Sequence, residues 1–89
     1  MQDIMIEVIG VDPPCPRCKQ TEANAQKAAL KLIEKGRKVI VAKIAATAKE
    51  TVAKYGVITP PALAINGVVK IMGKVPDVGV IDRLLRDVL

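Results

Sequence analysis

The sequence predicts an α/β fold with element order βαβαββα, built as a single domain over residues 1–89. Three observations carry that reading. An apolar run of strand type, Ile4 to Ile9, is followed by a stripe with helical period. A second apolar run, Val39 to Ile44, then completes a strand-helix-strand unit. Asn66-Gly67 sits between two short apolar segments, Ala62 to Ile65 and Val68 to Met72, and such a pair supplies the positive φ values of a tight hairpin turn.

Taken in order, the first strand stops at Pro13-Pro14, which forces an extended approach to Cys15. Pro16 suits the first helical position because its missing N–H would be unpaired there, so Cys15 falls at or beside the N-cap. Ala25, Ala28, Ala29, Leu32 and Ile33 mark one helix face and Gly36 closes the helix. Extending that stripe back seven residues from Ala25 reaches Cys18, which predicts a buried Cys18 and an exposed Cys15. The second strand is apolar enough to pair parallel with the first, the helix serving as crossover. Thr47 and Glu50 have capping-box spacing ahead of a short helix that ends at Tyr55-Gly56, with Tyr55 packing and its hydroxyl at the surface. A last helix from about Asp77 to Val88 carries Ile81, Leu84, Leu85 and Val88 on one face, and Asp82 and Arg86 are spaced as an i,i+4 pair.

Composition excludes several functions. An apolar content of 51% over 89 residues describes a small globular domain rather than a disordered tail. The net charge of +5 is spread along the chain, Tyr55 is the only aromatic residue, and Lys27, Lys31 and Lys35 recur on the solvent face of the first helix, so no nucleic-acid partner is expected. With no histidine, His-based triads and Cys2His2 zinc sites are excluded. The run Ile4 to Val11 is interrupted by Glu7, stops at Asp12 and lacks a signal-peptide pattern. No apolar run approaches the roughly 20 residues that span a bilayer. These absences predict a cytoplasmic protein with no membrane partner.

Chemistry concentrates in Cys15-Pro16-Arg17-Cys18. Two thiols one helical turn apart can close a short ring with little backbone movement, and a single possible disulfide is a poor staple for a secreted miniprotein. The pair reads as a dithiol/disulfide site in which an accessible first thiol attacks and a shielded second one resolves. Unpaired N–H groups at the helix start stabilise an anion, so Cys15 is expected to titrate below the free-thiol value of about 8.5. Arg17 either adds to that effect or is a solvated charge, since its place in the turn faces outward.

These residues, together with Tyr55-Gly56-Val57, Pro61-Ala62-Leu63, Ile65-Asn66-Gly67 and the late Gly73 and Pro76, resemble the thioredoxin-fold proteins. They are most similar to the small glutaredoxin-like group of archaea and bacteria called small redox-active disulfide proteins. The resemblance spans the chain and implies a four-stranded mixed sheet with helices on both faces. It also implies a cis-proline opposite the cysteine pair, which falls on Pro61; the sequence itself shows only that an X-Pro bond can be cis at modest cost. In such proteins the residue before that proline pairs its backbone with substrate. Pro60 has no N–H and would offer only its carbonyl. Three positions depart from the pattern. Pro14 stands where thioredoxins carry a Trp, Ile9 stands where they carry a buried acid, and Gly73-Lys74-Val75-Pro76 lacks the acid with which glutaredoxins hold glutathione. Proton transfer then falls to water, or to Glu7 if it faces the site.

The expected function is thiol-disulfide exchange: catalytic Cys15 and Cys18, supported by Pro16, Arg17 and Pro61, with Pro60 and Lys74 toward the substrate. Expected partners are disulfide-containing client proteins or small disulfides and a reductase or thiol donor; the chain is expected to be monomeric and to need no cofactor. The chief rival is a soft-metal or metalloid carrier holding its ion on Cys15 and Cys18. Such carriers resemble a βαββαβ chain with Met-Thr-Cys before the motif, whereas this chain has Pro-Pro-Cys and ends in a helix. A non-catalytic adaptor is disfavoured because both cysteines are present.

Overall fold

The computed structural model describes residues 3–11 and 16–88, so the predicted stop at Pro13-Pro14 and the N-cap placement of Cys15 lie outside the described residues. The elements are β1 (Ile4–Gly10), α1 (Pro16–Glu34), β2 (Val39–Ala45), α2 (Lys49–Tyr55), β3 (Ala62–Ile65), β4 (Val68–Met72) and α3 (Val78–Arg86), in the predicted order. They form one mixed sheet of order β2-β1-β3-β4. β2 runs parallel to β1, and the β3–β4 hairpin adds antiparallel to the other side of β1.

Strand pleating divides the residues between two faces. Ile4, Ile6 and Val8 point to the side of α1 and α3, where Ala25, Ala28, Leu32, Ile81 and Leu85 complete the larger core. Ile9 points the other way and joins Ala46, Ile58, Ala62 and Ala64 in a smaller cluster on the α2 side. Small alanines on the inner stripe of α1 let the helix lie close to the sheet. Ile33, expected in that stripe, is instead 46% exposed. β2 is the last strand on that side, so Ile33 flanks a shallow groove with Val39 and Val41 and has no further strand to cover it.

The hairpin turn forms as predicted, with Asn66 at φ 50° and Gly67 at φ 84°. Asn66 also ties the turn to β1: its side-chain oxygen accepts from the Met5 N–H at 2.9 Å, and its own N–H donates to the Met5 carbonyl at 2.8 Å. A register shift between Leu63 and Ala64 adds one residue to β4. On α3, Asp77 is the N-cap and accepts from the Val80 N–H at 2.9 Å, and Arg86 reaches Asp82 at 3.8 Å. The predicted capping box on α2 does not form. Ala48 occupies the N-cap without a side-chain bond, one residue beyond Thr47, so the spacing from Thr47 to Glu50 is out of phase with the helix start.

Candidate functional site

The site is built at the C-terminal end of β1 and the head of α1. Pro16 and Arg17 open the helix exposed, and Cys18, its third residue, is only 3% exposed and faces inward as the stripe predicts. Cys15 precedes Pro16 in sequence and lies outside the described residues. The Thr21 hydroxyl donates to the Arg17 carbonyl at 2.9 Å, which satisfies a fully buried hydroxyl inside the helix. Asn24 is also buried; its oxygen accepts from Gln20 at 2.8 Å and its amide donates to the Pro76 carbonyl at 2.9 Å.

Two loops close on this helix head. The Arg17 guanidinium donates to the Gly73 carbonyl at 3.3 Å. The Gly73 N–H in turn is shared between the carbonyls of Thr59 at 3.0 Å and Pro61 at 2.9 Å. Gly73 has φ 79°, a backbone state in which glycine is favoured. The structure thus brings Arg17, Gly73 and the segment around Pro61 together, and Asn24 fixes the far end of the loop at Pro76. The Pro60-Pro61 bond is cis, as the resemblance implied. Pro61 is buried, Pro60 half-buried, and Lys74 exposed in the loop after β4.

Glu7 does not take the place of the missing acid. It lies on the α2 face with Ile9, across the sheet from Cys18, and its carboxylate is engaged there. The Tyr55 hydroxyl donates to Glu7, so that hydroxyl is turned to the sheet and not left at the surface as expected. Lys54 reaches the same carboxylate oxygen at 2.9 Å, with its ammonium 5.0 Å from the centre of the Tyr55 ring. Burial pushes the Glu7 carboxyl up, but the hydrogen bonds from Tyr55 and Lys54 and the Lys54 charge outweigh it and hold the group below its ordinary value. Burial and the bond to Glu7 raise Tyr55. Lys54 is raised chiefly by its bond to Glu7.

Sequence reasoning missed Thr21 and Asn24, although two polar residues on an apolar stripe are a usable signal of buried hydrogen bonds. It also missed Gly10, a residue without a side chain at a strand position facing the helix. No described helix is long and apolar enough to cross a membrane.

Comparison with known proteins agrees with this architecture. No curated protein and no solved structure matches the chain. The family model for the thioredoxin domain matches residues 4–86. That match takes in all seven elements of the mixed sheet and its helices, and by it the chain belongs to the thioredoxin-domain family.

Proposed function

We propose that the protein is a thiol-disulfide oxidoreductase in which Cys15 and Cys18 cycle between dithiol and disulfide. The observation that supports it best is the seat of Cys18, buried in the first turn of α1, with a second cysteine three positions earlier in sequence. Family membership adds to this, since thioredoxin domains are generally oxidoreductases. The reading extends to the small redox-active disulfide group that the motifs resemble, and to a cytoplasmic monomer that needs no cofactor. Its partners are disulfide-containing client proteins or small disulfides, and a reductase or thiol donor.

In the reductive direction the Cys15 thiolate attacks one sulfur of a client disulfide. The client S–S bond breaks, a mixed disulfide forms, and the released client thiolate takes up a proton. Cys18 then loses its proton and attacks the Cys15 sulfur, releasing the second client thiol. The client gains two electrons and two protons, and the protein dithiol loses them to become the Cys15–Cys18 bridge. A thiol donor reverses the change in the protein. Pro16 and Arg17 shape the helix head in this scheme, and Pro60, Pro61 and Lys74 border the surface that a client segment meets.

Mass spectrometry after exposure to a disulfide substrate tests the assignment. Cys15→Ser is expected to abolish reduction, and Cys18→Ser to accumulate a mixed disulfide through Cys15. Trapping by Cys15→Ser alone would reverse the two roles, and no adduct or reduction in any form of the protein would remove the proposal.

A further inference from the structure

Gly10, the last residue of β1, continues the inward parity of Ile4, Ile6 and Val8, so a side chain there would point at α1. A Cβ on Gly10 would lie 3.1 Å from both the Cβ and the Sγ of Cys18. Comfortable carbon contacts are at about 3.5–4.0 Å. The glycine is not there for its backbone freedom: Gly36, Gly56, Gly67 and Gly73 have positive φ, and Gly10 does not. The strand cannot retreat, because Gly10 pairs with Ala45 and its carbonyl accepts from the Ala46 N–H at 2.8 Å. The helix is held as well, by the Asn24 bond to Pro76 and by the buried Thr21 and Ala25.

We infer that Gly10 is a positioning residue for the Cys18 sulfur, its missing side chain leaving the seat in which that sulfur rests; the inference builds on the thiol-disulfide reading above. A methyl group at position 10 crowds both redox forms, but unequally. In the dithiol, turning about the Cα–Cβ bond can carry the Cys18 sulfur away from the added methyl, while the Cβ contact stays the same in both forms. In the bridged form its sulfur is held by the bond to Cys15, so the crowding remains. Gly10→Ala therefore favours the dithiol.

The experiment equilibrates wild type and Gly10→Ala with a small 1,4-dithiol and its cyclic disulfide, and counts protein thiols. In that exchange the Cys15–Cys18 bond breaks, the reagent's two sulfurs join, and two electrons and two protons pass to the protein. Gly10→Ala is expected to shift the equilibrium toward the protein dithiol by more than about twofold, since only the sulfur's share of the overpacking cost differs between the two forms. A second readout is the denaturant unfolding of Gly10→Ala under reducing conditions, alone and together with Cys18→Ala. The cost of Gly10→Ala should fall when Cys18→Ala removes the sulfur contact, the Cβ contact remaining in both backgrounds.

An exchange constant within about twofold of wild type, or an equal cost of Gly10→Ala in both backgrounds, overturns the inference. If Gly10→Ala alone fails to fold, recovery of folding by Cys18→Ala supports the seat, and recovery only by Cys18→Gly, which removes the Cβ as well, or by neither, overturns it. If the wild-type protein forms no reducible bridge, the thiol-disulfide reading falls, while the paired unfolding measurements still decide whether residue 10 crowds Cys18.

Discussion

On the face of the sheet that carries α1 and α3, Ile4, Ile6, Val8, Leu63 and Ile65 meet Ala28, Leu32, Ile81 and Leu85 in a continuous apolar layer. On the α2 face the apolar cluster is smaller, and the seven-residue α2 is also held through Glu7, which takes hydrogen bonds from Tyr55 and Lys54. The larger face draws its stability from area removed from water, a contribution that carries no titrating group. The smaller face adds a charge-assisted hydrogen-bond group, which answers to pH. Cys18 lies on the larger face, where the interior is packed closely enough that a change of one methylene is felt. Gly10 is the local expression of that rule.

The comparison breaks first if truncations on the two faces cost the same. Leu63→Ala, at a fully buried position of the larger face, is expected to lose about 2–5 kcal/mol in denaturant unfolding. Ile44→Ala, on the half-buried rim of the smaller cluster, should lose roughly half as much, because less apolar area leaves water there. Equal losses would mean that the α2 face is held by packing to the same degree.

A middle-sized effect sharpens the polar side of the comparison. Tyr55→Phe removes a hydrogen bond to a carboxylate and should cost about 1.5–3 kcal/mol at neutral pH. Glu7 is held below its ordinary value of 4.5, so near that pH the unfolded chain binds more protons than the folded one. Its stabilisation is present above that range and is lost as pH falls through the lower folded value. Unfolding measured between about pH 6 and pH 3 should show that loss, reduced in Tyr55→Phe and absent in Glu7→Gln. Tyr55 is the only tyrosine and the chain has no tryptophan, so phenolate absorbance reads it alone. Its midpoint should lie above 10.0 and should drop in Glu7→Gln. A Glu7→Gln protein with the wild-type acid profile would remove the role given to this group.

The smallest effect belongs to Arg17. Its bond to Gly73 is exposed and 3.3 Å long, and water can replace it, so Arg17→Ala should change unfolding stability by less than about 1 kcal/mol. A larger loss would show that the helix head is tethered chiefly by this contact and not by the packing of Cys18 and Thr21 against the sheet.

The element order, the hairpin and the inward turn of Cys18 were legible in the sequence because each rests on short-range rules. A period of 3.6 residues puts Cys18 and Ala25 on one face, and an Asn-Gly pair meets the positive φ of a two-residue turn. The same local pattern misjudged Ile33, because a helical stripe carries no information about where the sheet beside it ends. Thr47 and Glu50 had the right spacing but the wrong phase, since the helix start depends on the turn out of β2. Three features were decided only by tertiary structure: Asn24 donating to Pro76, Tyr55 donating to Glu7, and the Cys18 side chain leaving too little room for a Cβ on Gly10. The first two span 52 and 48 residues, and the third is a gap whose size depends on how closely β1 and α1 approach. Periodicity and turn chemistry constrain each element by itself, whereas distances between elements follow from how all their side chains pack together, which no local pattern encodes.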